Sequence, residues 1–185
     1  MEPILTLRYS EWLVAAHLLK ALPAKQGYSV FAPLSRQEKG VDLLLTRRHH
    51  GVTRTAALQI KYSRAYEKTR SDEPFQFGTF FRAFAVSERT DFVVLATLYP
   101  NVTGRGGGAR SSWWLPLMLL FRRKEMVTLL SSLRTRSGKA DRMFYFAFNP
   151  PNHIALTRGA PVHRDFSSFS LTTRLPILRR YVGPA

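Results

Sequence analysis

Residues 40–61 read GVDLLLTRRHHGVTRTAALQIK, and the patterning of this stretch decides the architecture. Apolar residues crowd its two ends, Leu43 to Leu45 and Ala56 to Ile60, and a polar stretch with His50 and Gly51 separates them. Two such runs divided by a glycine-containing polar segment read as a β-hairpin. With the turn centred on His50-Gly51, opposed positions sum to 101, so Asp42 faces Gln59 and Lys61 lies two residues further along. Positions two apart on a strand share a face, and so do directly opposed residues. Asp42, Gln59 and Lys61 therefore project together, and Leu43, Leu45, Leu58 and Ile60 take the core side. A carboxylate, an amide and an ammonium are unfavourable to bury unless they pair or bind something.

Before the hairpin, Tyr9, Trp12, Leu13, Ala16 and Leu19 recur at helical spacing, with Ser10 as a candidate N-cap and Pro23 and Gly27 as stops. Tyr28 to Ala32 reads as a short strand. After the hairpin, the aromatic segment Phe75 to Ser87 predicts a helix from about Thr79. Phe92 to Tyr99 is a continuous apolar run, the mark of a strand buried on both faces. Leu117 to Leu133 carries a helical stripe, and Met143 to Phe148 reads as a strand. The order α-β-β-β-α-β-α-β predicts an α/β domain over residues 1–150, with a mixed central sheet flanked by helices. From Asn149 onward Pro and Arg dominate and periodicity fades, so residues 151–185 read as an extended basic appendage of the same domain.

Composition bounds the function. A chain of 185 residues is about one domain, and 45% hydrophobic with 22% charged residues excludes wholesale disorder. The absence of cysteine excludes disulfide scaffolds, thiolate metal sites and a Cys nucleophile. Lys and Arg number 28 against 12 Asp and Glu, a net charge of +16 that calls for a polyanionic partner. Of those cations 21 are Arg, the residue that forms bidentate pairs with phosphate, so nucleic acid is favoured over an anionic membrane surface. The longest apolar run, Trp113 to Phe121, is too short to span a bilayer and Pro116 interrupts it. Trp12 to Leu22 has the apolar character of a signal peptide, but Glu2, Glu11, His17 and Lys20 argue for a buried helix in a cytoplasmic protein.

The chain resembles the PD-(D/E)XK nuclease superfamily, the restriction-endonuclease-like fold. Gly40-Val41-Asp42 on one strand and Gln59-Ile60-Lys61 on the next carry the resemblance, with Glu11 on the preceding helix and Phe92 to Tyr99 as the following core strand. It spans roughly residues 5 to 150 and implies metal-assisted phosphodiester hydrolysis. By that resemblance Asp42, Gln59, the backbone carbonyl of Ile60 and Glu11 would ligate Mg²⁺, with Mn²⁺ as a substitute. Lys61 would be the catalytic cation and Ser63 would touch the phosphate. Gln59 departs from the acid usual at its position, which weakens binding of a divalent ion. DNA is the expected substrate, ahead of RNA, and cutting both strands with one site per chain favours a homodimer. The alternative, with Gln59 as the mark of a damaged motif, is a catalytically inactive nuclease fold that binds nucleic acid or serves in an assembly.

Other features have blander readings. Arg47, Arg48, Arg105 and Arg110 are candidates for phosphate contact, as are the pairs Arg122-Arg123 and Arg179-Arg180. The loop Gly104 to Arg110 lacks the Gly-Lys-Ser/Thr of a phosphate-binding loop. Phe75, Phe77, Phe80, Phe81 and Phe84 read as core, His17 as a packed helix residue, and His49-His50 as exposed residues at the hairpin tip. His153 and His163 have no partners at ligand spacing.

Overall fold

An uninterrupted apolar strand such as Phe92 to Tyr99 is stable only where both faces of its sheet are covered. The computed structural model describes residues 9–33, 40–68, 74–101, 114–135, 137–150, 153–160 and 163–183. In chain order the strands are β1 (Tyr28–Phe31), β2 (Leu43–His49), β3 (Val52–Tyr62), β4 (Ala65–Glu67), β5 (Phe77–Arg82), β6 (Phe92–Pro100), β7 (Trp114–Arg122), β8 (Met143–Asn149), β9 (His153–Arg158) and β10 (Arg164–Asp165). The helices are α1 (Tyr9–Ala21), α2 (Arg123–Ser131) and α3 (Leu171–Tyr181). They build a mixed α/β protein with two five-stranded sheets, ordered β1-β2-β3-β6-β7 and β10-β9-β8-β5-β4. In the first sheet β3 runs parallel to β6, and every other pairing is antiparallel.

The first sheet is a wall between two cores. On one side Leu43, Leu45, Leu58, Ile60 and Val94 pack against Val14 and Leu18 of α1, Leu22 just after it, and Leu171, Leu175 and Leu178 of α3. On the other side Val93, Leu95, Leu119 and Phe121 pack against Phe77, Phe144, Phe146 and Phe148 of the second sheet. Strand β6 thus sends alternate residues into opposite cores, as its continuous apolar run requires. Among the described residues no helix is long and apolar enough to cross a membrane.

Several elements differ from the sequence reading. The architecture is not a single central sheet flanked by helices, because a second sheet covers one face. The helix expected from Thr79 is strand β5, where buried Phe77, Thr79 and Phe81 alternate with exposed Phe80 and Arg82. Its Gly78 lies so close to β8 that a Cβ there would fall 1.5 Å from the Tyr145 hydroxyl oxygen. The helix expected over Leu117 to Leu133 is β7 followed by α2, starting only at Arg123. A run apolar at every position has no period to read, and pairing with β6 settles it as strand.

The C-terminal segment is not an extended appendage. Ile154, Leu156 and Phe166 enter the second core, and Leu171, Leu175, Leu178 and Val182 enter the first. The last four are spaced for one helix face, a stripe obscured by Pro176 and the interleaved arginines. The other readings hold: the N-terminal helix, the hairpin strands, and the strands at Tyr28, Phe92 and Met143. Phe75, Phe77 and Phe81 are core residues, and Phe80 is exposed.

An ion pair adds to the apolar face of α3 in fastening the C-terminal helix to the rest. The Arg174 guanidinium donates to both carboxylate oxygens of Glu125 on α2, donates to the Leu120 carbonyl of β7 at 3.1 Å, and lies 3.7 Å from the Phe169 ring centroid. Glu125 also accepts the Arg122 backbone N–H at 2.8 Å, which satisfies a donor at the start of α2. Burial pushes the Glu125 carboxyl up, but hydrogen bonds from Arg174 and Arg122 and their positive charges outweigh it and hold it below the usual range. A depressed folded-state pKa stabilises above the ordinary glutamate value, and that stabilisation is lost as pH falls through the lowered value. Replacement Arg174→Met should therefore lower stability by about 1–3 kcal/mol at pH 7. Thermal melts from pH 7 to pH 3 should show the two proteins converging as the pH falls.

Candidate active site

The β2–β3 ladder runs from Leu43 opposite Leu58 to His49 opposite Val52, the register expected from the sequence. His50 (φ 46°) and Gly51 (φ 78°) take the left-handed conformations of a tight hairpin turn. At the other end the ladder stops at Leu43, so Asp42 does not pair directly with Gln59. Its backbone N–H donates to the Leu58 carbonyl at 2.8 Å, and its Oδ2 accepts the Ile60 N–H at 2.6 Å. The carboxylate stands where the next strand carbonyl would be. The N–H and C=O of one strand residue point to the same edge, so the Ile60 carbonyl faces this gap as well.

Gln59 and Lys61 project from the opposite face to Leu58 and Ile60, beside Val93 and Leu95 of the second core. Gln59 is only 4% exposed. Its Nε2 donates to the Ala85 carbonyl at 3.3 Å, which fixes the amide orientation, and its Oε1 is left with no hydrogen-bond partner among the described residues. A buried carbonyl oxygen without a donor is unfavourable and calls for an explanation. The Lys61 ammonium lies 5.2 Å from the Phe84 ring centroid and forms no ion pair with Asp42 among the described residues.

The remaining expected residues are dispersed. Glu11 is half-buried in the first turn of α1, the helix that packs on the other face of the sheet from Gln59 and Lys61. Ser63 follows β3 directly, half-buried, with its N–H on the Ala96 carbonyl at 3.1 Å. Arg47 donates to the Gln26 carbonyl at 3.4 Å and stacks over Tyr28, and Arg48 is exposed, both near the hairpin tip. Arg105 and Arg110 lie outside the described residues. His17 is half-buried, and burial together with the nearby Lys20 holds its imidazole below its ordinary pKa.

Two residues at this end of the sheet escaped sequence reading. Thr97 on β6 points to the same face as Gln59 and Lys61, and its buried hydroxyl is also without a partner among the described residues. Asp91 performs on the β6 side what Asp42 performs on the β2 side. Its Oδ2 accepts the Ala57 N–H at 2.8 Å, and its Oδ1 accepts the Tyr181 hydroxyl at 2.6 Å. That hydrogen bond, partial burial and the Asp91 charge push the Tyr181 phenol up to about 12. An aspartate just before an apolar run was visible in the sequence, but its partners come from β3 and α3.

Chemically, the end of β3 offers three oxygens: the second carboxylate oxygen of Asp42, the Ile60 carbonyl and the orphaned Gln59 Oε1. Hard cations take such donors, and the bare Gln59 oxygen fits that use, though one carboxylate gives a weak site. Among the described residues no three His, Asp or Glu side chains gather as a metal centre. The chain matches no family model, no curated protein and no solved structure.

The two key side chains should respond oppositely to removal. Gln59→Met, which deletes the orphaned oxygen at near-constant volume and frees the exposed Ala85 residue's carbonyl to water, should leave stability unchanged or raise it by up to about 1 kcal/mol. Asp42→Ala, which strips the Ile60 N–H of its acceptor, should lower it by about 1–2 kcal/mol. Urea denaturation of the two variants beside the parent chain measures both.

Proposed function

We propose that this chain is a metal-dependent nuclease that hydrolyses DNA phosphodiester bonds at the end of β3, in DNA defence, repair or mobile-element processing. The observation that carries the reading is the buried carbonyl oxygen of Gln59, without a partner among the described residues, on the strand end that also carries Lys61 and the Ile60 N–H held by Asp42. Stability alone disfavours such an oxygen, whereas a ligand-binding site needs one. The net charge of +16 and its arginine bias suit a phosphate polymer. The helix, the antiparallel trio β1-β2-β3 and the crossover to parallel β6 also keep the order implied by the PD-(D/E)XK resemblance. Strands β4 and β5 stand where that order has a helix.

In this reading Asp42, Gln59 and the Ile60 carbonyl would hold Mg²⁺ or Mn²⁺, which when bound supplies an activated water and neutralises phosphate charge. Lys61 brings its ammonium to the scissile phosphate, where it stabilises charge growing on the non-bridging oxygens. The Phe84 ring holds that ammonium by its face and leaves the N–H donors for the substrate. Asp42, tied to the Ile60 N–H through one oxygen, keeps a fixed orientation for the other. Glu11 starts from the far face of the sheet, so the reading rests on the other three residues.

A second reading, a nuclease-like fold that binds nucleic acid without cutting it, is favoured by Asp42 serving as a strand terminator. Plasmid cleavage with Mg²⁺ and Mn²⁺ decides between them. The parent chain should nick or linearise the plasmid, and Asp42→Ala and Lys61→Ala should each be slower by about a hundredfold or more. Equal cutting by all three proteins, or cutting by none, defeats the enzymatic reading.

A further inference from the structure

The first sheet carries a second concentration of chemistry, on the side away from Gln59 and Lys61. Helix α3 packs there, and its last turn runs between two clefts. One, of about 420 Å³, is lined by Arg122, Arg123 and Lys124 at the start of α2 and by Arg180 of α3. The other, of about 240 Å³, is lined by Arg47 and Arg54 of the hairpin, with His49 and His50 beside them. Residues Arg180 and Tyr181 face the first cleft, and Val182 and Gly183 face the second, so segment 180–183 is the ridge between them. Arg122 and Arg123 meet Arg180, more than fifty residues later in sequence, at the first cleft, and the hairpin arginines line the second.

Two acids share the larger cleft. Asp91 is already engaged by the Ala57 N–H and the Tyr181 hydroxyl, and Glu88 is exposed at the rim. Six Arg and Lys side chains therefore face two acids across the two clefts. Arg54, Arg122, Lys124 and Arg180 are all exposed, and none forms an ion pair among the described residues. Like charges held this close repel one another, which favours a surface that receives a polyanion.

We infer that the two clefts astride the end of α3 form one binding track for the sugar–phosphate backbone of a nucleic acid, separate from the Asp42–Gln59–Lys61 site. Arginine predominates, and its planar fork matches phosphate oxygens. Arg54 of the second cleft lies seven residues, about 23 Å, from Lys61 along β3, whereas the first cleft reaches Phe92, which pairs with Leu58, and Thr90, whose hydroxyl donates to the Gly40 carbonyl at 2.6 Å. The track thus approaches the candidate site at the first cleft, runs away from it at the second, and contributes affinity without base readout. The inference rests on the proposed function only in taking nucleic acid as the shared ligand.

The test is fluorescence-anisotropy titration of a labelled 30-base-pair duplex in EDTA over a range of salt concentrations. The track variant carries Arg54→Gln, Arg122→Gln, Lys124→Gln and Arg180→Gln. A charge-matched control carries Arg82→Gln, Lys139→Gln, Arg142→Gln and Arg164→Gln, exposed positions away from both clefts. The track variant should bind at least tenfold more weakly than the control, and its salt slope should fall by about two to four. Two half-variants, Arg54→Gln/Arg180→Gln and Arg122→Gln/Lys124→Gln, keep the test readable if the fourfold variant does not fold. Equal affinity of track variant and control overturns the track, as does binding to anionic phospholipid vesicles but not to duplex. Because binding is read without metal, a chain that never cleaves still tests the track. A chain that cleaves but ignores these four charges refutes the track alone.

Discussion

Strand β6 sends Phe92, Val94 and Ala96 to one side of its sheet and Val93, Leu95 and Tyr99 to the other, and both sets are buried. Such a strand loses its stabilisation if either side opens to water, so each face of the sheet needs its own cover. The chain supplies two different covers, a pair of helices and an antiparallel sheet. Neither forms from neighbouring sequence alone. The helical cover joins residues from both ends of the chain, and the sheet cover threads β4 and β5 between β3 and β6 before returning with β8, β9 and β10. The Arg174–Glu125 pair belongs to the same requirement, because it holds α3 to the edge strand β7 and to α2.

Where the wall ends, aspartates replace strands. Asp42 accepts the Ile60 N–H beyond the last β2 pair, and Asp91 accepts the Ala57 N–H ahead of the first β6 pair. Each satisfies a backbone donor that a longer neighbouring strand would otherwise bond. The two acids differ in their second oxygen. Tyr181 takes that of Asp91, which ties α3 to the end of the sheet, while that of Asp42 takes no hydrogen bond among the described residues. One device thus completes a hydrogen-bonded link on one side of β3 and leaves a carboxylate oxygen for other use on the other.

The legible parts of the fold were those where local pattern and tertiary environment agree. The hairpin register followed from a turn with only one good centre, and β6 from an apolar run too long for any half-exposed strand. Misreadings arose where one pattern suits two structures. Leu117 to Phe121 fits a helix stripe and a doubly buried strand equally, and only β6 as neighbour decides. Phe77 to Arg82 alternates, yet its aromatic density masked the period until β8 provided the partner surface. In α3 the stripe Leu171, Leu175, Leu178 and Val182 was present, but Pro176 and the arginines around it suggested an irregular tail.

Of the candidate site, sequence spacing alone determined that Gln59 and Lys61 share a face and that Asp42 lies at the same end of the hairpin, because strand periodicity is a local property. Tertiary structure decided the rest. It packed α1, with Glu11 in its first turn, on the α3 side of the wall, bent Asp42 out of the ladder onto the Ile60 N–H, and left the Gln59 oxygen without a partner among the described residues. It also set Arg54 on one side and Arg122 on the other of the ridge that carries Arg180. Positions so far apart in the chain have no shared period, and only the packing of two cores against one sheet sets which of them meet.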